Sequence, residues 1–277
     1  MRCVRRWTEP AGATTAAKLD VRTVSKSFKR DGRAVRALDA ASLTIPEGRL
    51  VSLIGPSGCG KSTLFNIIAG LLRPTTGDVL ADGNSIVGRP GYVAYMLQKG
   101  LLLPWRTIID NIILGAEVRG VPKKESIARA QPLIDRYGLA GFEQHYPHEL
   151  SGGMRQRTSL LRTMLYDRDI VLLDEPFGAL DAQTRMLMQS WLLQVWSDLG
   201  KTILFVTHDI DEAIYLSDEI YVFTARPGRI KAHIDVALPR PRGQDAVTSS
   251  QFVDLKRQLL GLLNDEARIA ERQESLQ

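Results

Sequence analysis

The sequence predicts an α/β fold built on a mostly parallel sheet. Short apolar runs with a bias toward β-branched residues occupy 50–54, 170–173 and 203–207, and each ends in glycine-rich or polar residues. Strand and helix patterns alternate from residue 170 to about residue 223, as expected for parallel strands joined by crossover helices. Because ligands gather at the carboxyl ends of such strands, the site is expected there.

The first run leads into a phosphate-binding loop that matches G-x-x-x-x-G-K-[ST] at every fixed position. The loop consists of Gly55, Pro56, Ser57, Gly58, Cys59, Gly60, Lys61, Ser62 and Thr63. Its glycines let backbone N–H groups surround an anion, and the helix that follows adds its positive N-terminal end. Lys61 is expected to reach the β- and γ-phosphates of ATP, Ser62 to bind Mg²⁺ and Thr63 to contact the α-phosphate. The expected fold is therefore a P-loop NTPase.

Polar residues also follow the other two runs. Asp174 is suited to hold Mg²⁺ through its water shell, and Glu175 to polarise the water that attacks the γ-phosphate. His208 is expected to donate to that phosphate. Taken alone, the acidic pair also fits an ordinary strand end and His208 a structural histidine. The phosphate loop upstream favours the catalytic interpretation of all three.

Residues 150–157, Leu-Ser-Gly-Gly-Met-Arg-Gln-Arg, precede the acidic strand. A serine followed by two glycines suits the start of a helix at which another molecule approaches the backbone closely. The stretch resembles the signature motif of ATP-binding cassette (ABC) ATPases, and the resemblance covers residues from about 19 to 234. It implies that this helix start faces ATP held by a second, identical subunit. The residues so implied are Ser151, Gly152, Gly153 and Gln156.

The same resemblance gives roles to three more residues. It implies that Phe28 stacks on adenine, although the family more often has tyrosine there, and that Gln98 touches Mg²⁺ or the attacking water. Asp181 matches the loop that supports the dimer interface. Each has a simpler alternative from local sequence: a core or edge-strand aromatic for Phe28, a polar strand end for Gln98 and a plain helix N-cap for Asp181.

The chain divides into three parts in this interpretation. Residues 1–17 form a leader expected to be disordered, and residues 18–237 form the ATPase domain. That domain begins with antiparallel strands over 18–45 and contains an inserted helical subdomain over about 101–165. Residues 238–277 form a Pro/Arg/Gly linker and an amphipathic helix over 252–272, which packs on its own domain or on a partner.

Residues 99–107 are apolar, with a tryptophan, and follow Gln98 directly. In the family the groove beside this segment receives a membrane subunit, so two transmembrane permease subunits are expected to contact the chain near Leu103, Pro104 and Trp105. The Leu-Leu-Pro-Trp-Arg run and the 225–230 turn are similar to importer ATPases for nitrate, sulfonates and taurine. Related sequences serve thiamine-precursor uptake. An external solute-binding protein is implied as an indirect partner.

Composition limits the alternatives. The chain has 277 residues, 44% of them apolar, a net charge of +5 and two cysteines. No apolar run approaches the roughly 20 residues that span a bilayer, and no signal peptide is recognised. A peripheral position on the cytoplasmic face of the inner membrane is expected, without nucleic-acid binding. The alternatives are a soluble ABC ATPase acting on nucleic acid or ribosomes, an exporter ATPase, and an ATP-gated interaction module.

Overall fold

The structure, a computed structural model, describes residues 17–30, 33–98 and 101–274. The predicted leader, up to residue 16, and residues 99–100 lie outside the described residues. The strands are β1 (Ala17–Arg30), β2 (Arg33–Pro46), β3 (Leu50–Ile54), β4 (Thr76–Ala81), β5 (Asn84–Ser85), β6 (Ala94–Met96), β7 (Ile170–Asp174), β8 (Thr202–Val206), β9 (Glu219–Phe223) and β10 (Ile230–Asp235). The α-helices are α1 (Lys61–Ile68), α2 (Ile108–Ile112), α3 (Leu114–Val118), α4 (Lys123–Arg136), α5 (Gly152–Met164), α6 (Ala182–Leu199), α7 (Ile210–Leu216) and α8 (Ser250–Glu274).

Six strands form the main sheet in the order β10-β9-β3-β8-β7-β6. Strand β3 pairs in parallel with β8 and β9, and β7 pairs in parallel with β6 and β8. Strand β10 alone in this sheet runs antiparallel, along β9. The architecture confirms the predicted α/β fold with a mostly parallel sheet. Every residue of β3, β7 and β8 is buried, as expected for parallel strands covered on both faces.

A second sheet is antiparallel and has the order β2-β1-β4-β5. It contains the antiparallel strands that the sequence predicts over 18–45. Alternate residues of β3 point to opposite sides of the main sheet, because the side-chain period of a strand is two. Val51 and Leu53 join the core formed with α1 and the second sheet, whereas Leu50 and Ile54 join the core on the other side.

The helices α2, α3, α4 and α5 follow one another between β6 and β7, in the stretch where the sequence predicts a helical subdomain. Helices α2, α4 and α5 bury Ile112, Ile134 and Leu160 in the core that Leu50 and Ile54 also join. Thr107 starts α2 by accepting a hydrogen bond from the backbone N–H of Asp110 at 3.3 Å. Within the described ranges, no helix is both long enough and apolar enough to cross a membrane.

The C-terminal segment packs on the same domain. Arg242, in the stretch that the sequence predicts as a linker, is buried and donates to the backbone carbonyls of Ile214 and Ser217 at 3.0 Å and 2.7 Å. It thus satisfies carbonyls at the end of α7 that a helix leaves without partners. Helix α8 buries Phe252 and Leu259 in the core beside α7. Of the two alternatives for this helix, the structure shows packing on its own domain.

A buried polar network joins α6 to α7 and borders the end of β8. The Glu212 carboxylate accepts a hydrogen bond from Gln189 of α6 at 3.1 Å and another from the Thr207 hydroxyl. Burial raises the pKa of the Glu212 carboxyl to about 7, with the nearby charge of Asp209 acting in the same direction. Hydrogen bonds and the charge of Arg185 act against that shift.

Glu212 is expected to make the stability of the protein depend on pH. Its carboxyl titrates near 4.5 in the unfolded chain and near 7 in the fold, so the folded state binds more protons between these values. Stability is therefore greatest below the unfolded pKa and is lost as pH rises through the folded pKa. The Glu212→Gln variant should remove about 2 kcal/mol of the decline in unfolding free energy between pH 5 and pH 8.

Urea denaturation at both pH values, in wild type and variant, measures this difference. The exposed residue Glu125 on α4 provides a matched control, since Glu125→Gln should leave the decline unchanged. An identical decline in the Glu212→Gln variant would show that the buried carboxyl is not its source.

Candidate active site

The phosphate loop joins β3 to α1 and is packed so closely that its glycines are required. A Cβ on Gly55 would lie 2.8 Å from the Cβ of Phe223, and one on Gly60 would lie 2.8 Å from the carbonyl oxygen of Ala37. Gly60 also has φ +109°, a conformation that residues with a side chain rarely adopt. Sterics on two sides thus fix the path of the loop.

Lys61 begins α1 and is 7% exposed. Its ammonium donates to the carbonyl oxygens of Gly55 at 2.7 Å and Pro56 at 2.9 Å. The buried Cys59 thiol lies 3.5 Å from the same nitrogen. The Lys61 ammonium therefore lies against the backbone of the loop, within reach of an anion that binds there.

Asp174 ends β7 and is 6% exposed. Burial raises the pKa of its carboxyl, and the neighbouring Glu175 adds to this, while hydrogen bonds from Ser62 and Tyr95 and the charge of Lys61 act in the opposite direction. The Tyr95 hydroxyl donates to Asp174 Oδ2 at 3.4 Å. The Ser62 hydroxyl and this carboxyl are thus adjacent oxygen donors, which is the ligand chemistry that Mg²⁺ prefers.

Glu175 has the left-handed backbone conformation, with φ +46°. Its backbone N–H donates to the carbonyl of Val206 on β8 at 3.0 Å, which helps to hold the residue there. The side chain accepts a hydrogen bond from Gln98 Nε2 at 2.8 Å and lies 3.5 Å from Nδ1 of His208. A non-glycine residue kept in this conformation is costly, and such residues cluster at functional sites.

These side chains line one open cleft of about 570 Å³ above the carboxyl ends of β3, β7 and β8. Most of the predicted nucleotide and catalytic residues line it: Phe28, Ser57, Gly58, Gly60, Lys61, Ser62, Thr63, Gln98, Glu175 and His208. Gly55, Cys59 and Asp174 are buried directly behind this lining. Pro56 contributes its carbonyl to Lys61.

The predicted signature residues lie elsewhere on the chain and do not line the cleft. Ser151 caps α5 by accepting from the backbone N–H of Met154 at 3.3 Å, and Asp181 caps α6 in the same way through Thr184 at 3.0 Å. A Cβ on Gly153 would lie 3.1 Å from the Thr184 methyl, so the two helix starts are adjacent. Ser151, Gly152 and Asp181 are exposed at this surface.

Gln156 takes a different position. Its side-chain amide donates to the carbonyl of Pro176, just after the acidic strand end. In the isolated chain this residue ties α5 to the loop after Glu175 and does not reach the cleft. A glutamine one turn into a helix gives no sequence signal for such a contact, because its partner is set by the packing of α5 against that loop.

Residues that the sequence did not identify also contribute. Val35, Ala37 and Arg226 line the cleft, and Tyr95 contacts Asp174. The alternating apolar pattern around β6 could have marked Tyr95 as a strand residue, but not its partner. Arg226 follows β9, another parallel strand that ends at the same edge as β3, so a search of all strand ends would have found it.

Comparisons with known proteins identify the family of this chain. The family model described as ABC transporter matches residues 38–178. An uncharacterized ABC transporter ATP-binding protein of Methanocaldococcus jannaschii is 47% identical over 90% of this chain and 92% of its own length. The taurine import ATP-binding protein of Rhizobium johnstonii is 42% identical over 85% and 92%, respectively.

Among solved structures, the dimeric structure of a bacterial ABC transporter cassette matches with a TM-score of 0.69. It is 30% identical in sequence, and the match covers 81% of this chain and 99% of the cassette. The chain therefore belongs to the ABC transporter family, as an ATP-binding subunit that hydrolyses ATP.

Proposed function

We propose that this chain is the ATP-hydrolysing subunit that energises an ABC importer for a small nutrient. The proposed cargo is nitrate, a sulfonate such as taurine, or a thiamine precursor. The observation that carries the proposal is the convergence of Gln98, Glu175 and His208 on the cleft that Lys61 lines. The name of the Rhizobium johnstonii relative, a taurine import protein, supports import.

In this proposal, ATP lies along the cleft. The phosphate loop and the start of α1 bind the phosphates of ATP through backbone N–H groups. Lys61 leaves its carbonyl partners to reach the β- and γ-phosphates. Thr63 contacts the α-phosphate. Phe28, which lines the cleft and is 40% exposed, stacks on the adenine ring.

Ser62, Asp174 and Gln98 would hold Mg²⁺ between them, Asp174 through water. The bound ion would neutralise charge on the β- and γ-phosphates. Burial raises the pKa of the Asp174 carboxyl, but the Ser62 and Tyr95 hydroxyls stabilise its ionised form. The carboxylate is thereby kept in place by two fixed donors, which reduces the reorganisation needed when a cation arrives.

Glu175 is the proposed general base for the water that attacks the γ-phosphate. Its two carboxylate oxygens face Gln98 and His208 separately, so both neighbours orient it. His208 donates to the γ-phosphate and registers its presence. A general base that is hydrogen-bonded by Gln98 and contacted by His208 is positioned before the water binds, and this favours in-line attack.

A homodimer completes each site in this proposal. The exposed start of α5, with Ser151, Gly152 and Gly153, faces the γ-phosphate bound by the other subunit, and Gln156 and Asp181 support that surface. Two observations favour this arrangement: these residues do not line the cleft of their own chain, and the matching bacterial cassette is dimeric. The N-terminus of a helix attracts phosphate through its backbone N–H groups.

Two transmembrane permease subunits are the proposed partners at Leu103, Pro104 and Trp105. Trp105 is 72% exposed, although Asn111 holds the backbone on both sides of it by bonds to Leu103 and to the carbonyl of Arg106. A rigid, exposed tryptophan is a typical anchor for a protein partner. The residues 99–100 that precede this segment lie outside the described residues.

An apolar groove of about 390 Å³ lies next to this segment and supports the same docking site. Arg162 lines the groove and donates to the carbonyl of Leu101 at 2.8 Å, which ties the segment to the groove wall. Leu71 and Val118 also line the groove and are 61% and 73% exposed. Exposed apolar surface of this kind marks an interaction site.

The proposed location is the cytoplasmic face of the inner membrane, with an external solute-binding protein as an indirect partner. A soluble ABC ATPase acting on nucleic acid or ribosomes would not need the apolar groove. An exporter ATPase would also have the groove, but the relative from Rhizobium johnstonii is named as an import protein, which favours import. Nucleic acid is not a proposed partner.

Glu175→Gln should trap an ATP-dependent dimer. The amide keeps the size and polarity of the side chain but cannot accept the proton of the attacking water, so hydrolysis should fall by about 10²- to 10⁴-fold while ATP binding is kept. Size-exclusion chromatography with light scattering, with and without ATP, measures the dimer, and phosphate release measures turnover.

The double variant Lys61→Ala, Glu175→Gln serves as the control, since loss of the ammonium should prevent ATP binding and leave a monomer. If the Glu175→Gln protein remains monomeric at saturating ATP, the shared-site mechanism is wrong. Turnover equal to that of wild type would remove Glu175 as the base.

Trp105→Ala should uncouple the ATPase from its membrane partner. Because the side chain is exposed and does not line the cleft, basal ATPase activity should stay within about twofold of wild type, whereas recovery of a permease from gently solubilised membranes should fall about tenfold or more. Pull-down with a tagged chain, followed by mass spectrometry, measures recovery.

Leu260→Ala is the matched control, because Leu260 is exposed and apolar but lies on α8. It should leave both readings unchanged. Unchanged permease recovery with Trp105→Ala would reject this contact, and recovery of soluble or nucleic-acid-associated partners alone would reject the importer proposal.

A further inference from the structure

The turn between β9 and β10 is packed against the phosphate loop. A Cβ on Gly228 would lie 2.1 Å from the carbonyl oxygen of Cys59, so the backbones of turn and loop are in direct contact. The turn is closed by Thr224, whose hydroxyl donates to the carbonyl of Pro227 at 3.0 Å and accepts from the backbone N–H of Arg229 at 3.0 Å. The turn and the loop therefore form one rigid unit.

The same turn also pairs with β2. Gly228 forms an isolated parallel bridge with Leu38, by donating to the carbonyl of Ala37 at 2.9 Å and accepting from the N–H of Asp39 at 3.0 Å. The bridge holds the turn, and with it Arg226, against the part of β2 that lines the cleft.

This part of β2 lies between the phosphate loop and Phe28. Ala37 contacts Gly60 of the phosphate loop, and Val35 lies directly opposite Phe28 in the β1–β2 register. Val35, Ala37 and Arg226 all line the cleft. In an ATP molecule that runs from the phosphate loop to Phe28, the groups between the β-phosphate and the base are the α-phosphate and the ribose.

We propose that Arg226 binds the α-phosphate of the nucleotide. A guanidinium is permanently charged and presents donors that match phosphate oxygens, so the anionic group in this region is its preferred partner. Among the described lining residues, Lys61 and Arg226 are the lysine and arginine side chains of the cleft, and they enter it from different elements. This inference rests on ATP occupying the cleft as in the proposed function.

The position of Arg226 also predicts which kinetic constant it affects. The α-phosphate carries its charge in the ground state and in the transition state alike, whereas charge changes at the γ-phosphate near Glu175 and His208. A contact made equally in both states lowers KM without raising kcat. Arg226 is therefore a binding residue whose removal weakens ATP and ADP by the same factor.

Three variants test this assignment: Arg226→Ala, Arg226→Lys and the control Arg229→Ala. Arg229 belongs to the same turn and pairs with Asp39 but does not line the cleft. Calorimetry gives the Kd of ATP, ADP and GTP, and steady-state assays give KM and kcat. For Arg226→Ala we expect Kd for all three nucleotides and KM for ATP to rise about tenfold, with kcat within about twofold.

Arg226→Lys should recover part of the affinity, and Arg229→Ala should match wild type because Gly228 keeps its backbone bonds to β2. Unchanged Kd values for Arg226→Ala overturn the proposal. A loss for ATP but not ADP overturns it in favour of a γ-phosphate contact, and a loss for ATP but not GTP overturns it in favour of stacking on the base. Lys61→Ala tests whether ATP occupies the cleft at all, separately from the Arg226 contact. Retained ATP binding in that variant would contradict the site itself.

Discussion

The close packing of the phosphate loop is the constraint on which the rest of the site depends. Gly55 meets β9, Gly60 meets β2, and the Gly228 turn meets the loop at Cys59, each at distances that exclude a side chain. These contacts fix the loop relative to β2, β9 and the turn that follows β9. The cleft is therefore preformed, and its walls are held by backbone sterics and not by side chains that a mutation could easily change.

The parallel sheet explains why so much of this site could be predicted from the sequence. The buried parallel strands all end at the same edge of the main sheet. The residues that follow them therefore converge there, although they are far apart in sequence: Lys61, Asp174, Glu175 and His208. The fold class and these positions follow from local patterns and one rule of α/β architecture. The left-handed backbone of Glu175 could not be predicted, because it is stabilised by β8 and not by its own neighbours in sequence.

The parts that the sequence did not predict depend on contacts between distant segments. Gln156 bonds to a carbonyl 20 residues away, and Arg226 lines the cleft from a turn that pairs with β2. The packing of Arg242 in the C-terminal segment could not be predicted either, because its stretch is rich in proline, arginine and glycine and suggests a free linker. Its guanidinium instead satisfies carbonyls at the end of α7, a need that is visible only once that helix end is placed.

The two halves of the proposed machinery are joined by helix α6. Its first residues follow Asp181 at the exposed surface, while Arg185, one turn later, pairs with Asp209 at 3.3 Å, and Gln189, two turns later, bonds Glu212. Both partners belong to the segment that carries His208. Because a helix moves as a stiff unit, a second subunit that displaces the start of α6 must also shift its contacts with Asp209 and Glu212, which follow this histidine. In the proposed function, contact between subunits and detection of the γ-phosphate by His208 would therefore be mechanically linked within one chain.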